Sequence, residues 1–354
     1  MTTPNTKRIK LDEIDLSVEI DGVKFKTCLM NASGARCTTA AELNKLMICP
    51  YTGGVVSKSC TLAYREGNPK PRYYHDQSGY NGTTRGQPTF SINSTGLANL
   101  GMLKYFHQYT GMFSGINRVP KTKPYILSIA GLSLEENLNM IKLMQTDMDN
   151  CAEIHSPLLQ EIPDSIELNL SCPNVIGKPQ VGYDFEASEE VLRKVFEIGP
   201  EMKLGVKLPP YFDFVHYNRM AEVLEQFPIS HITCINSLGN GLVIDWVSES
   251  PVIKPKGGFG GIGGSVIKPF ALANVHKFSQ LLPQIPVIGC GGVSTGWDAF
   301  EHILTGASLV QVGTQLMTEG IGCFERITKE LKLIMQMKGY CSLDDFRGCL
   351  REQR

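Results

Sequence analysis

The sequence predicts a single (β/α)8 barrel, an α/β fold, with long loops over its C-terminal mouth. Three observations carry this. Eight short apolar runs recur along the 354 residues, at 27–31, 54–58, 125–129, 165–170, 204–208, 231–236, 286–291 and 309–313, each ending in a small or polar residue. Stretches of helical periodicity separate most of them, at 134–148, 188–198, 217–226, 269–282, 296–305 and 322–337. Glycine-rich turns follow the last two runs, and no linker-like change of composition interrupts the alternation. A doubly wound sheet with a second domain is the rival architecture, and these features favour the barrel.

Residues 1–16 read as a polar tail, with Lys7, Arg8 and Lys10 followed by Asp12, Glu13 and Asp15. Residues 17–25 alternate around Asp21-Gly22, a strong hairpin signal. The barrel domain is expected to span 17–350. The first run leads into Asn31-Ala32-Ser33-Gly34 and the second into Lys58-Ser59. The connection 59–124 is too long for a turn. Within it, 73–90 holds Gly79, Gly82 and Gly86 among small polar residues, and about 75–90 reads as an inserted flap. The helix at 134–148 opens on the capping box Ser133-x-x-Glu136.

In the fourth run Ile166, Leu168 and Leu170 alternate with Glu167 and Asn169. It passes into Ser171-Cys172-Pro173-Asn174, a loop stiffened by Pro173 and Pro179. The fifth run brings Lys207, and the sixth ends Ile235-Asn236-Ser237. Residues 237–268 form a second long connection, with the glycine-rich run 257–264 inside it. Cys290-Gly291-Gly292 and Gly313-Thr314 close the last two runs.

The chain is 42% hydrophobic and 19% charged with a net charge of -1, ordinary globular material without the electrostatic footprint of a nucleic-acid or anionic-membrane binder. No apolar run is long enough to cross a membrane, and residues 1–16 carry no signal-peptide core. Eleven cysteines without a Cys-x-x-Cys pair point to reduced cytosolic thiols rather than disulfides, zinc or an iron–sulfur cluster, and no metal site is expected. No Gly-x-Gly-x-x-Gly with a downstream acid marks a nicotinamide site.

Barrel active sites are built at the C-terminal strand ends. There the chain places two lysines, several carboxamides and a thiol. Each alone has a plain explanation: lysines snorkel and asparagines cap turns. Together they mark a cleft. The turns at Gly291-Gly292 and Gly313-Thr314 occupy the usual phosphate position of barrels, and the 257–264 run would close over the same group. A bulky residue at Gly291 is expected to fill the space the backbone needs to approach the phosphate. Phosphate beside a planar-ligand cleft indicates flavin mononucleotide, with a lysine stabilising the reduced ring.

Several motifs go further: Asn31-Ala32-Ser33-Gly34, Ser57-Lys58-Ser59-Cys60, Pro71-Arg72-Tyr73, Ser91-Ile92-Asn93-Ser94, Gly205-Val206-Lys207-Leu208-Pro209-Pro210 and Asn236-Ser237-Leu238-Gly239-Asn240-Gly241. With Glu167 to Gln180, which includes Gly177-Lys178-Pro179-Gln180, they resemble the dihydroorotate dehydrogenases, specifically the soluble class 1A branch with a cysteine base. The resemblance covers nearly everything from Phe25 to Arg347.

It implies that Cys172, flanked by Ser171, removes the C5 proton of dihydroorotate while the C6 hydride passes to the flavin. Asn93, Asn169, Asn174, Asn236 and Ser237 would hold the pyrimidine ring, whose edges offer donors and acceptors. Lys58, with the backbone around Thr95, Gly96 and Leu97, would face the carboxylate. Lys207 would face the flavin. Ala32, Ser33, Gly34, Lys58, Ser59, Asn169, Ile235, Gly263, Gly264, Cys290, Gly291, Gly292, Gly313 and Thr314 would cradle the FMN. The family further implies fumarate as electron acceptor, a homodimer, a cytoplasmic location, and neither nucleic-acid nor membrane partners.

Two departures stand beside the carboxylate pocket: Thr95 where the family usually has methionine, and a longer 74–90 segment. They bear on fine substrate preference rather than on the chemistry. A dihydropyrimidine dehydrogenase-like enzyme is the nearest alternative, disfavoured by Lys58 with Asn93. A non-catalytic flavin-binding scaffold is the other, disfavoured by the intact Cys172 loop.

Overall fold

A computed structural model describes residues 9–76, 90–110, 119–153, 160–171 and 180–353. Its centre is an eight-stranded parallel sheet closed into a barrel, as expected. In chain order the barrel strands are Leu29–Asn31, Val55–Val56, Tyr125–Ile129, Ser165–Asn169, Lys203–Leu208, His231–Cys234, Val287–Cys290 and Ala307–Val312. The eighth pairs with the first, Gln311 opposite Met30. A bridge from Met30 to Gly54 joins the first to the second and completes the ring.

The helices follow the strands at the predicted places. Leu134–Glu153 starts at its capping box, with the Glu136 amide donating to Ser133 Oγ at 3.1 Å. Phe185–Glu197 and Phe214–Leu224 begin three residues earlier than their periodicity indicated, because Asp184 and Asp213 cap them with side-chain oxygens. Lys268–Leu281, Gly296–Leu304 and Gly322–Lys338 complete the outer ring. Among the described residues, three α-helices were not anticipated: Ala40–Ile48, Met102–Phe106 and Thr314–Glu319.

Outward side chains of the strands, among them Ile166 and Leu168, pack under the helices, while the upper interior is polar. Glu167 is fully buried there and accepts from Thr233 Oγ1 at 2.7 Å. Barrel interiors are normally filled by branched apolar side chains. A buried polar layer beneath the mouth therefore belongs to the site.

The hairpin Val18–Ile20 and Val23–Phe25 turns at Asp21-Gly22, as read. Inside the segment expected as a tail, Ile14 and Leu16 are buried against the barrel. The two long connections do more than loop over the mouth. They pair with each other in one antiparallel sheet, ordered Leu238–Leu242, Phe259–Gly263, Ser91–Asn93, Tyr73–His75. Much of the glycine-rich run thus turns out to be a strand. A Cβ on Gly260 would lie 2.6 Å from the Asn93 carbonyl oxygen, so close strand approach explains that glycine. The flap read at 75–90 falls mainly on 77–89, outside the described residues. Its flanks are joined, the Asp76 amide donating to Phe90 O at 3.1 Å.

Candidate active site

A cleft of about 240 Å³ opens between the barrel mouth and the four-stranded sheet. Its walls bring together most of the residues read from the sequence: Ala32, Ser33, Gly34, Lys58, Ser59, Asn93, Thr95, Leu97, Asn169, Lys207, Asn236, Ser237, Gly263, Gly264, Cys290, Gly291, Gly292, Gly313 and Thr314. Cys172 and Asn174 lie outside the described residues. Gly96, Ser171 and Ile235 stand behind the lining rather than in it. Gly96 offers its carbonyl to Arg65 Nε at 2.7 Å, and Ile235 is buried in the core.

The carboxamides are fixed by one another. Asn169, at the end of the fourth strand, donates to Ser59 Oγ at 3.1 Å. Its oxygen accepts from the amide of Ser171 at 3.0 Å and from Ser171 Oγ at 2.8 Å. Asn236 donates to the Ser171 carbonyl at 2.9 Å and accepts from the Ser237 amide at 2.8 Å. Asn93, on the overlying sheet, donates to the carbonyl of Gly261 on the adjacent strand at 3.1 Å. Ser171 is thus the hub that orients two carboxamides, which leaves their free edges set toward the cleft.

Two ammonium groups face the same space. Lys207, only 3% exposed, donates to Ser33 Oγ at 3.3 Å and to Gln311 Oε1 at 3.2 Å, both neutral. Gln311 Nε2, also buried, has no partner among the described residues. Lys58 approaches the Ser33 carbonyl at 3.5 Å. Buried cations are normally paired. A buried ammonium whose protein partners are neutral suits an anionic ligand in the cleft.

The thiols can be sorted by environment. Burial pushes Cys37 up to about 12 and raises Cys60 and Cys234 as well. Cys290 lines the cleft, yet burial raises it too, against the pull of Lys207 and with the help of Glu167. These thiols stay protonated at neutral pH.

At the turn after the seventh strand, Gly291 and Gly292 have φ of +130° and +76°, the region that favours glycine. The expectation for Gly291 needs correcting. A Cβ there would point at Ala271 Cβ, 2.9 Å away, and Ile267 Cδ1, 3.2 Å away, so a side chain would strain the turn against the helix Lys268–Leu281 rather than simply fill the backbone's approach to the phosphate.

Sequence reasoning missed Tyr73 and Ser91 as lining residues, along with Ala35, Ile267, Val293, Ser294 and Met317. Tyr73 and Ser91 sat in quoted motifs, but only pairing of the two long connections turns them into the cleft. Ser91 Oγ and Thr314 Oγ1 are 2.8 Å apart, tying the overlying sheet to the eighth strand's turn.

Comparison with known proteins adds a family. A model described as dihydroorotate dehydrogenase matches residues 15–335. The chain is 48% identical over 327 residues to the dihydroorotate dehydrogenase (fumarate) of Saccharomyces mikatae, covering 92% of this chain and 95% of the relative. The protein of that name from Saccharomyces cerevisiae (strain ATCC 204508 / S288c) gives the same identity and coverage. A probable dihydroorotate dehydrogenase A (fumarate) from Streptococcus pneumoniae serotype 4 is 47% identical over 339 residues, covering 96% of this chain and 99% of the relative.

Proposed function

Because the chain belongs to the dihydroorotate dehydrogenase family, we propose that it is a class 1A, FMN-dependent enzyme oxidising dihydroorotate to orotate in pyrimidine biosynthesis, with fumarate as electron acceptor. The observation that carries this reading is the meeting of Lys58 with Asn93, Asn169 and Asn236 in one cleft: a cation for a carboxylate beside carboxamides for a ring of mixed donors and acceptors.

The residues present fit FMN. Lys207 is a buried ammonium with neutral partners, and among the described residues Gln311 Nε2 is unpartnered and the Gly292 amide has no backbone acceptor, which suits an anion at that turn. When bound, FMN supplies the acceptor for the hydride that leaves C6. Lys207 places a fixed positive charge on the cleft wall, where it favours an anionic ring. Lys58 holds the substrate carboxylate, and the asparagines fix the ring in one orientation. Cys172 takes the C5 proton. Elevated thiols at Cys37, Cys60, Cys234 and Cys290 support leaving that role to Cys172. Ser171 works beside it by orienting Asn169 and Asn236.

No helix among the described residues is long and apolar enough to cross a membrane, and a cytoplasmic homodimer is part of the proposal. The hairpin Ile244–Asp245 and Ser250–Pro251 supports it, exposing Trp246 at 84% and Val247 at 72%, apolar surface suited to a second copy. The test is anaerobic titration of the purified yellow protein with dihydroorotate. Bleaching of the flavin and its recovery on adding fumarate are expected. An oxidised spectrum indifferent to dihydroorotate refutes the reading.

A further inference from the structure

The turn after the seventh barrel strand is held from behind by a histidine that the chemistry above does not use. His302 lies on the helix Gly296–Leu304 and is fully buried. Its Nε2 is 3.0 Å from the carbonyl oxygen of Gly291. A carbonyl only accepts, so Nε2 carries the proton and Nδ1 is bare. Nδ1 has no partner among the described residues, and burial brings the ring's pKa down to about 4, so it is a neutral donor at physiological pH. Room for the ring exists because position 289 is glycine: a Cβ there would lie 2.5 Å from Nδ1.

This bond fixes more than one oxygen. The Gly291 carbonyl and the Gly292 N–H belong to one planar trans peptide and point in opposite directions. With the carbonyl held toward His302, the Gly292 N–H is turned away from the helix, and both glycines line the cleft. That N–H has no protein acceptor among the described residues. Glycine backbones at positive φ have alternative peptide orientations open to them, so an external contact is needed to select one.

We propose that His302 is a positioning residue for phosphate: its Nε2–H pins the Gly291 carbonyl so that the Gly292 amide stays aimed at the phosphoryl group of FMN. The inference rests on the FMN reading above. A donor lost from a phosphate site weakens binding of the phosphorylated ligand and leaves its unphosphorylated relative alone.

The test is fluorescence titration of the flavin-stripped full chain with FMN and with riboflavin, for wild type, His302→Met and His302→Gln. Wild type should prefer FMN. The methionine variant should bind FMN about tenfold more weakly with riboflavin affinity unchanged. Glutamine, whose amide nitrogen reaches the Nε2 position, should restore most of the preference. Should the methionine variant fail to fold, His302→Asn takes its place, keeping an amide too short to reach the carbonyl. An FMN preference intact in the Met or Asn variant, or an equal loss for both flavins, overturns the inference while leaving the cofactor reading standing. A wild-type chain that binds neither flavin overturns both.

Discussion

Replacing His302 by glutamine should flatten the dependence of folding stability on pH. In the folded chain burial lowers this imidazole from an ordinary 6.5 to about 4. Between those values the unfolded chain binds a proton that the folded chain does not. Stability is therefore fully present above pH 6.5 and drains away as pH falls toward 4. The ring is fully buried, so no solvent screening discounts the effect. At about 1.4 kcal/mol per pKa unit the gap is worth about 3 kcal/mol in full, and roughly 2 kcal/mol of it falls between pH 7 and pH 5. His231, also buried, is lowered in the same direction by burial and remains in both proteins, so it cancels in the difference. The assay is urea unfolding of the flavin-free chain at fixed concentration across that pH range, wild type against His302→Gln. Wild type should lose roughly 2 kcal/mol more than the variant on going from pH 7 to pH 5. Parallel profiles would show that His302 is not held neutral, and the tautomer assigned at Gly291 would fall with it.

Cys172→Ser should keep FMN and orotate binding but slow anaerobic flavin reduction by about 10²–10⁴-fold or more at neutral pH, read by stopped flow; a wild-type rate removes Cys172 from the role of base. Lys58→Met should weaken orotate binding by about 10²-fold while leaving a dihydropyrimidine without a carboxylate unaffected; equal effects on both ligands would place the carboxylate elsewhere. Replacing 77–89 by a short glycine-containing link should leave flavin content and Tm near wild type, since the flanks already meet through Asp76 and Phe90 and each doubling of loop length costs only about 0.6 kcal/mol. Turnover or orotate affinity should change, because Asn93 hangs from the same pair of strands; loss of flavin would show the segment to be structural.

The barrel was legible because its signals are local. Apolar runs of strand length, the Asp21-Gly22 turn and the Ser133 capping box each act within a few residues, and each appears where it was read. The helix Ala40–Ile48 carried the same kind of signal, Thr39 with Glu42, and could have been found. The overlying sheet could not. Its strands are three to five residues long, two of them glycine-rich, and their pairing joins connections that follow the second and sixth barrel strands. Gly260 sits in the run read as closing over the phosphate, because what it accommodates, the Asn93 carbonyl, is distant in sequence. In the site, residues borne on barrel strand ends were predictable from topology. Tyr73 and Ser91 were not, since their facing depends on the register of that sheet. His302 was hidden for another reason: a lone histidine on an amphipathic helix carries no signal until its carbonyl partner is known.

The sheet over the mouth also has a consequence for how the enzyme comes into being. Asn93 and its partner Gly261 are 168 residues apart in the chain, whereas barrel strands consecutive in the chain are joined by far shorter crossovers. Contacts of such long range form after the entropy of closing the intervening chain has been met, and that chain includes four of the eight barrel strands. Growing from its N-terminus on the ribosome, the polypeptide carries its lysines and most of its carboxamides for a long interval without a roof above them. Substrate recognition thus waits on the residues around 259–263, which complete the roof.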